Sequence, residues 1–266
     1  MKFTFDHDYH IHSKISLCSG DAEQTPERIL DYAEANGLKR LVITDHYWDE
    51  SVPVNNPWYE KQDTEYLKHW LPLPQRDGIE LLYGCEVDMD RDYNIGISPE
   101  RYDDFDFIIV PTTHMHTTFT VPDEAVHDNV KRAKVWIDRL DAVLNKDLPF
   151  HKIGIAHLTC GLLALNRDDY REVLSLIPDD ELVRLFTKAA EKGCGIELNA
   201  FDMKFTDVDP ELVLRFYRIA KKCGCKFYLG SDSHHPVDLD AAKDLFERAI
   251  DMLNLTEDDK FIIKSL

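Results

Sequence analysis

Seven short segments rich in β-branched and aromatic residues recur along the chain, and predicted helices or polar loops separate them. The segments are residues 3–12, 40–46, 80–88, 105–114, 152–158, 194–200 and 226–234. Alternating strands and helices are typical of parallel βα units, because a parallel connection needs a crossover. Since the strands are mostly apolar, they favour a closed barrel over an open doubly wound sheet. We therefore predict an α/β fold, a TIM-like barrel with seven βα units.

The clearest predicted helix spans residues 25–37, where Thr25 is the N-cap, Pro26 takes the first helical position and Gly37 ends the helix. Similar patterns predict helices at residues 122–146, 178–193, 209–224 and 238–253. Residues 47–79 are too polar and proline-rich for a plain βα unit, so we predict a loop insertion with a short helix that covers the site. Because no Gly/Ser-rich linker divides the chain, residues 1–266 are predicted to form a single domain.

The chain is strongly acidic, with 31 Lys and Arg against 50 Asp and Glu and a formal net charge of -19. Proteins that bind a phosphate backbone normally carry the opposite sign, so we expect no long nucleic acid as a partner. Solubility accounts for most of the acidic excess. A small anionic substrate would need a strong local positive centre, and bound divalent metal ions provide one.

Nothing in the sequence predicts a membrane partner. The N-terminal segment lacks a basic region followed by an apolar run, and no apolar stretch reaches about 18 residues. The six cysteines show neither zinc-finger spacing nor the density of a disulfide scaffold. We therefore expect a cytoplasmic protein with reduced thiols.

Histidines and carboxylates stand near the C-terminal end of one predicted strand after another, where barrel enzymes carry their reactive groups. These residues are His10, His12, Asp21, His46, Glu86, His114, His157, Asp232 and His234. A single strand-end histidine is more often a structural residue than a ligand. Nine such groups at one rim would be costly to desolvate unless cations held them, and they suffice for three ions. The sequence therefore predicts a multinuclear metal site.

Two histidines compete for the position after the fourth strand, because His114 and His116 both lie in the segment PTTHMH. We predict His114 as the ligand, and His116 is the alternative. The remaining histidines are assigned structural roles, and they are His7, His69, His127, His151 and His235.

The order of these motifs resembles that of the polymerase and histidinol phosphatase (PHP) superfamily. The motifs are HxH at His10 and His12, Asp21 five residues before Pro26, TDH ending at His46, a glutamate after the third strand, later strand-end histidines and a final DxH. They span residues 8–236, which is almost the whole chain. The DYHIHS and CSGD segments, the chain length and the absence of a polymerase extension resemble the free-standing histidinol-phosphate phosphatase branch.

The resemblance implies a distorted (β/α)7 barrel with a trinuclear site, phosphoesterase activity, and zinc, manganese or iron as the metal. It carries the role of metal ligand to the nine strand-end residues, with Glu86 as the bridge between two ions. It also implies a small phosphorylated substrate. Histidinol phosphate, hydrolysed to histidinol and phosphate, is the first expectation, and a nucleotide or another sugar or alcohol phosphate is the alternative.

The expected mechanism uses a hydroxide that bridges two ions and attacks phosphorus, because metal binding lowers the pKa of water. Asp232 and His234 are candidate proton donors to the leaving alkoxide. The candidate substrate-binding residues are Glu197, Asn199, Arg167 and Arg101. For the first two the competing role is a hydrogen bond inside the core, and for the two arginines it is a solvated position on the surface.

Three other functions are alternatives. An amidohydrolase-type hydrolase also uses HxH and a final aspartate, but it needs a lysine or an equivalent bridge on the fourth strand, where this chain has TTH. A non-catalytic metal-binding module would be free to lose some of the nine ligands, and all nine are present. Exonuclease action on DNA or RNA ends is disfavoured by the acidic charge and the lack of a basic stripe.

Overall fold

The computed structural model describes residues 1–54, 56–205 and 209–264, apart from the side chain of Arg167. Its strands are parallel to their sheet neighbours. They are β1 (His7–Ile11), β2 (Arg40–Ile43), β3 (His46–Tyr47), β4 (Glu80–Val87), β5 (Phe107–Pro111), β6 (Ile153–Ala156), β7 (Gly195–Asn199) and β8 (Lys226–Gly230). All except β3 lie within the seven predicted segments.

The strand order is β1-β2-β4-β5-β6-β7-β8, and β3 pairs with β4. β3 continues the path of β2, since β2 pairs with the first half of β4 and β3 pairs with its end, His46 opposite Glu86 and Tyr47 opposite Val87. The two short strands therefore occupy one strand position of the barrel. The prediction of a seven-stranded α/β barrel is confirmed.

The barrel closes between its first and last strands, just beyond the end of β8. Ile11 forms a parallel bridge with Ser233. The amide of Asp232 donates to the carbonyl of His10 (2.8 Å), and the amide of His12 donates to the carbonyl of Ser233 (3.0 Å). Motifs from opposite ends of the sequence therefore meet at the C-terminal rim of the strands.

Helices connect the strands and bury their apolar faces against them. The α-helices of the described chain are α1 (Pro26–Asn36), α2 (Pro57–Glu60), α3 (Thr64–Leu67), α4 (Asn129–Asn145), α5 (Tyr170–Leu176), α6 (Asp179–Lys192), α7 (Pro210–Lys222) and α8 (Pro236–Leu253). α1 has the predicted ends: the Thr25 side chain accepts from the Arg28 amide (3.2 Å), and Gly37 has a left-handed φ of 69°. No helix in the described residues is long and apolar enough to cross a membrane.

α4 begins later than predicted. Residues 123–125 form a 3-10 helix, and Asp128 starts α4 by accepting a hydrogen bond from the Lys131 amide (3.0 Å). Asp128 is a stronger N-cap than the proline at position 122, because its side-chain oxygen satisfies a free helical amide. The long predicted helix is therefore two elements.

Arg139 of α4 is fully buried beneath the strand-end loops. Its guanidinium donates to the carbonyl oxygens of Met89 (3.1 Å), Thr112 (2.8 Å) and Thr120 (2.9 Å). These carbonyls belong to the segments that follow β4 and β5. Arg139 therefore connects the two loops that carry part of the strand-end cluster.

The segment between β3 and β4 contains α2, α3 and a 3-10 helix (Lys68–Trp70). Trp70 Nε1 donates to Ser13 Oγ (2.6 Å), and the Tyr66 hydroxyl donates to the Ile15 carbonyl (2.6 Å). These bonds hold the segment against the loop that follows β1. The segment therefore lies at the same rim as the strand-end residues.

Two clusters of buried apolar side chains form the core. The larger packs the helices onto the strands and includes Trp136, Phe186 and Phe216. The smaller joins strand residues such as Phe107 and Tyr228 to Phe261 of the C-terminal segment. The strand-end residues of the polar rim thus belong to strands that pack in a buried apolar core.

Candidate metal centre

The Glu86 carboxylate lies at the centre of the strand-end cluster, near the end of β4, and Glu86 is only 1% exposed. Nitrogen atoms of five imidazoles lie within 3.8 Å of its oxygens, and they are His157 Nε2 (3.1 Å), His12 Nε2 (3.2 Å), His46 Nδ1 (3.3 Å), His10 Nε2 (3.6 Å) and His114 Nε2 (3.8 Å). The barrel therefore brings histidines from four strand ends to one buried carboxylate.

Hydrogen bonds on the far side of the rings determine which nitrogen carries the proton. His10 Nδ1 lies 2.7 Å from Glu197 Oε1, and His114 Nδ1 lies 2.6 Å from Asp88 Oδ1. An ionised carboxylate only accepts hydrogen bonds, so both Nδ1 atoms are donors. In the neutral ring the lone pair is then on Nε2, the atom that faces Glu86.

His157 and His234 have the same arrangement. The Thr113 hydroxyl donates to the His157 carbonyl (2.9 Å), so its oxygen accepts from His157 Nδ1 (2.6 Å). His234 Nδ1 lies 2.7 Å from the carbonyl oxygen of Asp232, which only accepts. In both neutral rings Nε2 therefore keeps its lone pair.

This geometry fits bound cations. Imidazole lone pairs that face a carboxylate repel it unless a cation lies between them, and His10 Nε2 is also only 3.2 Å from His12 Nε2. Among the described residues, His46 Nδ1 and Asp88 Oδ2 have no hydrogen-bond partner. Histidines that donate their outer N–H to a carboxylate or carbonyl are the usual arrangement around a metal ion. The donor set of imidazoles and carboxylates suits divalent transition metals such as zinc, manganese or iron.

Within the described part of the chain, three groups of side chains place their ligand atoms within 4.8 Å of one another and could hold a metal ion. The groups are His10, His12 and Glu86, then Glu86, His114 and His157, and finally His12, Cys18 and His234. Glu86 belongs to two of these groups, so its carboxylate lies between two possible ion positions. Asp232 adjoins the first group, with Oδ1 at 3.3 Å from His12 Nε2.

The clustered charges shift the pKa values of these residues. Burial opposes ionisation of Glu86, but His46 and His10 outweigh it and hold the pKa of Glu86 well below its usual value. Burial also disfavours the charged ring of His12, yet Cys18 and Glu86 raise its pKa to about 10. The carboxylates therefore attract positive charge, which metal ions would supply in place of protons.

Cys18 adds a thiol to this rim, although it was not among the predicted site residues. Desolvation opposes ionisation of the thiol, but His12 and His46 bring the pKa of Cys18 down to about 4. The residue lines the cavity beside the cluster.

Two residues of the rim have backbone conformations that are uncommon outside glycine, with φ of 29° at His157 and 53° at Asp232. The His157 amide donates to Glu197 Oε2 (2.6 Å), and the Asp232 amide donates to the His10 carbonyl (2.8 Å). Such conformations persist only where the surroundings hold them, and they concentrate at functional sites.

Asp21 stands apart from the cluster, contrary to the prediction that it would join the other eight residues. Its Oδ2 lies 3.0 Å from His235 Nδ1, and its Oδ1 accepts from the Glu23 amide (2.9 Å). The loop after β1 directs Cys18, and not Asp21, towards His234. Of the two histidines in PTTHMH, His114 faces Glu86 and His116 lines the cavity wall.

Of the two predicted substrate-binding arginines, the structure describes the side chain of Arg101 only. Arg101 pairs with Glu50 (2.8 Å) and Asp104 (3.3 Å) at the surface and is not among the residues that line the cavity, so its position is the competing surface one and its role in substrate binding stays a prediction. The Arg167 side chain lies outside the described part of the chain. Loop arginines in an acidic protein find carboxylate partners nearby, which explains the position of Arg101.

Glu197 and Asn199, which were predicted as a pair on the sixth predicted strand, lie on β7 and have different surroundings. Glu197 is completely buried and binds the His10 ring and the His157 amide, which corresponds to the competing role of an internal hydrogen bond. Asn199 lines the cavity, and its Nδ2 donates to Asp232 Oδ2 (3.3 Å). Of this pair, Asn199 lines the cavity and Glu197 does not.

Two further site residues were missed. Asp88 is fully buried and holds the His114 ring, and its place two residues after Glu86 on the same strand face was the available signal. Trp58 of α2 packs edge-on against His46, with ring centroids 5.0 Å apart. No local pattern distinguishes Trp58, because it reaches the site through the fold of the inserted segment.

A cavity of about 650 Å³ opens beside this cluster. Its lining includes the histidines and carboxylates of the cluster and also the apolar residues Trp58, Tyr59, Leu162 and Phe201. None of the described lining residues is Lys or Arg. A bound anion would therefore depend on metal ions for its positive partners.

Residues 8–200 match the PHP domain family. A probable phosphatase of Acetivibrio thermocellus is 26% identical over 240 residues, which cover 88% of this chain and 80% of the relative. A probable phosphatase of Caldicellulosiruptor saccharolyticus is 22% identical over 232 residues, which cover 86% of this chain and 80% of the relative.

The fold is similar to that of histidinol phosphate phosphatase from Lactococcus lactis, which was solved with zinc, L-histidinol and phosphate. The TM-score is 0.52 at 21% identity, and the alignment covers 92% of this chain and 93% of the other. At this identity the likeness supports the barrel fold. The family match covers most of the chain and agrees with the order of its histidine and carboxylate motifs, and the chain therefore belongs to the PHP domain family.

Proposed function

We propose that this protein is a metal-dependent phosphatase that hydrolyses a small phosphomonoester, with histidinol phosphate as the first substrate to test. The enzyme class follows from membership of the PHP family, and the relatives described above are named probable phosphatases. The proposal depends on one feature, the imidazole nitrogens that converge with their lone pairs on the Glu86 carboxylate. Such an arrangement favours cations, and cations bind phosphate.

Three divalent transition metal ions, zinc, manganese or iron, are proposed to bind this cluster. Their ligands would come mainly from the rim residues His10, His12, His46, Glu86, His114, His157, Asp232 and His234. When bound, the ions would supply Lewis acidity to the phosphoryl oxygens and make water acidic enough to provide a nucleophile.

The protein's own side chains hold this geometry. Glu197 and Asp88 accept from the Nδ1 atoms of His10 and His114, which keeps both rings in one orientation. Asn199 donates to Asp232 Oδ2 and so orients that carboxylate at the cavity. Preorganised groups of this kind contribute to catalysis because they do not reorient during the reaction.

Neither candidate proton donor suits that role in its resting form. His234 donates its Nδ1 proton to the Asp232 carbonyl, which leaves a lone pair on Nε2. Burial opposes ionisation of Asp232, but His10 and His12 hold its pKa well below the usual value. We therefore propose that both residues are ligands and that the leaving alkoxide takes its proton from water in the cavity.

The apolar residues that line the cavity favour an aromatic or otherwise apolar leaving group. Trp58 and Phe201 present rings on which a planar group could stack, and Leu162 adds apolar surface. The structural neighbour from Lactococcus lactis binds L-histidinol, which carries an imidazole ring. This combination supports histidinol phosphate ahead of a sugar phosphate or a nucleotide.

A phosphatase panel tests the proposal. The chain is loaded with Zn²⁺ or Mn²⁺, its metal content is measured, and it is offered histidinol phosphate, an aryl phosphate, an aliphatic phosphate and a nucleoside monophosphate. We expect phosphate release, and we expect His10→Ala to lower kcat/KM by about 100-fold or more. His151→Ala, which changes an exposed histidine outside the rim, is the matched control.

Two outcomes would contradict the proposal. Hydrolysis of amides or lactones without phosphate release would favour an amidohydrolase-type activity. Metal binding without turnover of any phosphoester would favour a binding module. Preference for the nucleotide would remove histidinol phosphate and leave the phosphatase class in place.

A further inference from the structure

Cys18 lies in the loop after β1, at the edge of the cavity. Its Sγ and one nitrogen each of His12 and His234 lie within 4.8 Å of one another. The His12 and His234 rings stack with their centroids 4.3 Å apart. A sulfur beside imidazole nitrogens is a ligand combination that suits zinc and cobalt.

Hydrogen bonds fix the loop that carries this thiol. Ser19 Oγ donates to the His234 carbonyl (2.6 Å), and Cys18 Sγ lies 3.4 Å from Ser16 Oγ. Ser16 Oγ is in turn 3.0 Å from His12 Nδ1. The sulfur is therefore held between the end of β1 and the segment after β8.

The carboxylate that the sequence places in this loop is directed elsewhere. Asp21 Oδ2 lies 3.0 Å from His235 Nδ1, and Asp21 belongs to none of the three groups of possible metal ligands. His234 Nε2, by contrast, keeps its lone pair because Nδ1 donates to a carbonyl. A soft thiol thus occupies the place where a hard carboxylate was expected.

We propose that Cys18, and not Asp21, is a ligand of one metal ion, as a thiolate that shares this ion with His234 and an adjacent imidazole of His12 or His46. The inference rests on the proposed metal centre. A thiolate makes this position soft, so it favours Zn²⁺ or Co²⁺ over Mn²⁺, whereas the positions around Glu86 have nitrogen and oxygen ligands. One cavity would then contain two kinds of metal position, and thiol reagents would block only the soft one.

Cobalt substitution tests the ligand directly. A cobalt–thiolate bond gives an intense near-ultraviolet charge-transfer band that imidazole and carboxylate ligands do not give. We expect this band in the wild-type protein and in Cys160→Ser, the matched control for a second cysteine of the cavity wall, and we expect its loss in Cys18→Ser. A band that survives in Cys18→Ser, or that is absent from the wild type, would overturn the proposal.

Metal content separates Cys18 from Asp21. Cys18→Ser is expected to bind about one ion less per chain than the wild type, and Asp21→Asn is expected to keep the wild-type content. The opposite pattern would assign the ligand to Asp21. Circular dichroism of both variants without metal shows whether each is folded.

A third measurement needs no variant. Alkylation of Cys18 in the wild-type chain, followed by mass spectrometry of the modified peptide, should be at least about 10-fold slower after Zn²⁺ loading than before. Equal rates would contradict a thiolate ligand. None of these readouts uses turnover, so a failed phosphatase panel and a failed ligand test are distinguishable.

Discussion

Glu197 supports two parts of the metal centre with its two carboxylate oxygens. Oε1 accepts from His10 Nδ1 (2.7 Å), and Oε2 accepts from the amide of His157 (2.6 Å), whose backbone has positive φ. Negative charge on Glu197 makes the opposite nitrogen of His10 a better electron donor. We therefore expect Glu197 to influence metal binding through His10.

Replacing Glu197 by glutamine retains its shape and removes its charge. We expect Glu197→Gln to lower metal affinity by about 10- to 100-fold, as measured by competition with a chromophoric chelator. Glu181→Gln, which changes a carboxylate of α6 that pairs with Arg184 (2.7 Å), should leave the affinity unchanged. Wild-type affinity in Glu197→Gln would show that the hydrogen bond serves only to pack the core.

Trp58 gives the cavity an aromatic wall without being a ligand. Trp58→Ala is expected to raise KM for an aryl phosphate by about 10-fold and to change KM for an aliphatic phosphate much less, because only the aryl group loses a stacking partner. Steady-state kinetics on the two substrates check this. An equal rise for both would mean that Trp58 positions His46, not the substrate.

At the residue level, the position of a side chain was predictable where strand geometry determines it. A residue at the end of a parallel barrel strand lies at the C-terminal rim whatever its neighbours, so the convergence of His10, His46 and Glu86 was predictable. The loop after β1 has no such constraint, and the position of Cys18 beside His234, with Asp21 directed away, depends on hydrogen bonds such as that from Ser19 to His234. Loop paths of this kind are not encoded by periodicity.

Among the elements, α4 contributes more than a packing surface. Arg139 replaces water as the donor to three carbonyls of the loops after β4 and β5. Burial lowers the pKa of Arg139 to about 10, although Asp88 partly opposes this, so the side chain stays charged at neutral pH. The hydrogen bonds of Arg139 thus fix the positions of these two loops relative to α4.

Arg139→Met should therefore destabilise the fold. Methionine fills similar space but leaves buried carbonyls without donors, and we expect a loss of about 3 kcal/mol in the free energy of unfolding. Denaturant titration measures it. Arg218→Met removes an exposed pair with Glu211 on α7 and should cost no more than about 0.5 kcal/mol. Similar losses in both variants would contradict the role of Arg139.

Element boundaries were predictable where local chemistry alone determines them. Thr25 and Gly37 end α1 by capping, and both positions are as expected. The start of α4 at residue 129 and the division of one strand into β2 and β3 depend on tertiary contacts. The β2–β3 interruption occurs at Asp45, whose carboxylate accepts from the Ser13 amide (2.7 Å) and so joins the neighbouring strand end.

Over the whole molecule, the alternation of strands and helices was sufficient to predict the barrel, because parallel strands with crossover helices have few other closed arrangements. The net charge of -19 is likewise a property of the whole molecule. We expect this charge to disfavour binding of long polyanions, while the proposed ions would make the cavity locally positive.

Metal binding should stabilise the entire fold, since the proposed ligands come from strands at both sides of the barrel closure. Free metal at about 100 times Kd would add about 2.7 kcal/mol to the free energy of unfolding. Calorimetry with and without a chelator should show a higher Tm in the loaded protein and a smaller difference in His10→Ala. The same Tm with and without the chelator would argue against a stabilising effect of the ions on the barrel.

The bridge between Ile11 and Ser233 also sets an order of events during biosynthesis. A ribosome releases His10 and His12 early, but their partners Asp232 and His234 leave it only after β8 has been made. For most of its elongation, a nascent chain therefore contains His10 and His12 but lacks Asp232 and His234. If the proposed ions bind this ligand set, the complete set of ions can bind only after β8 has been translated, so the cell would load metal into a finished barrel and not into a growing polypeptide.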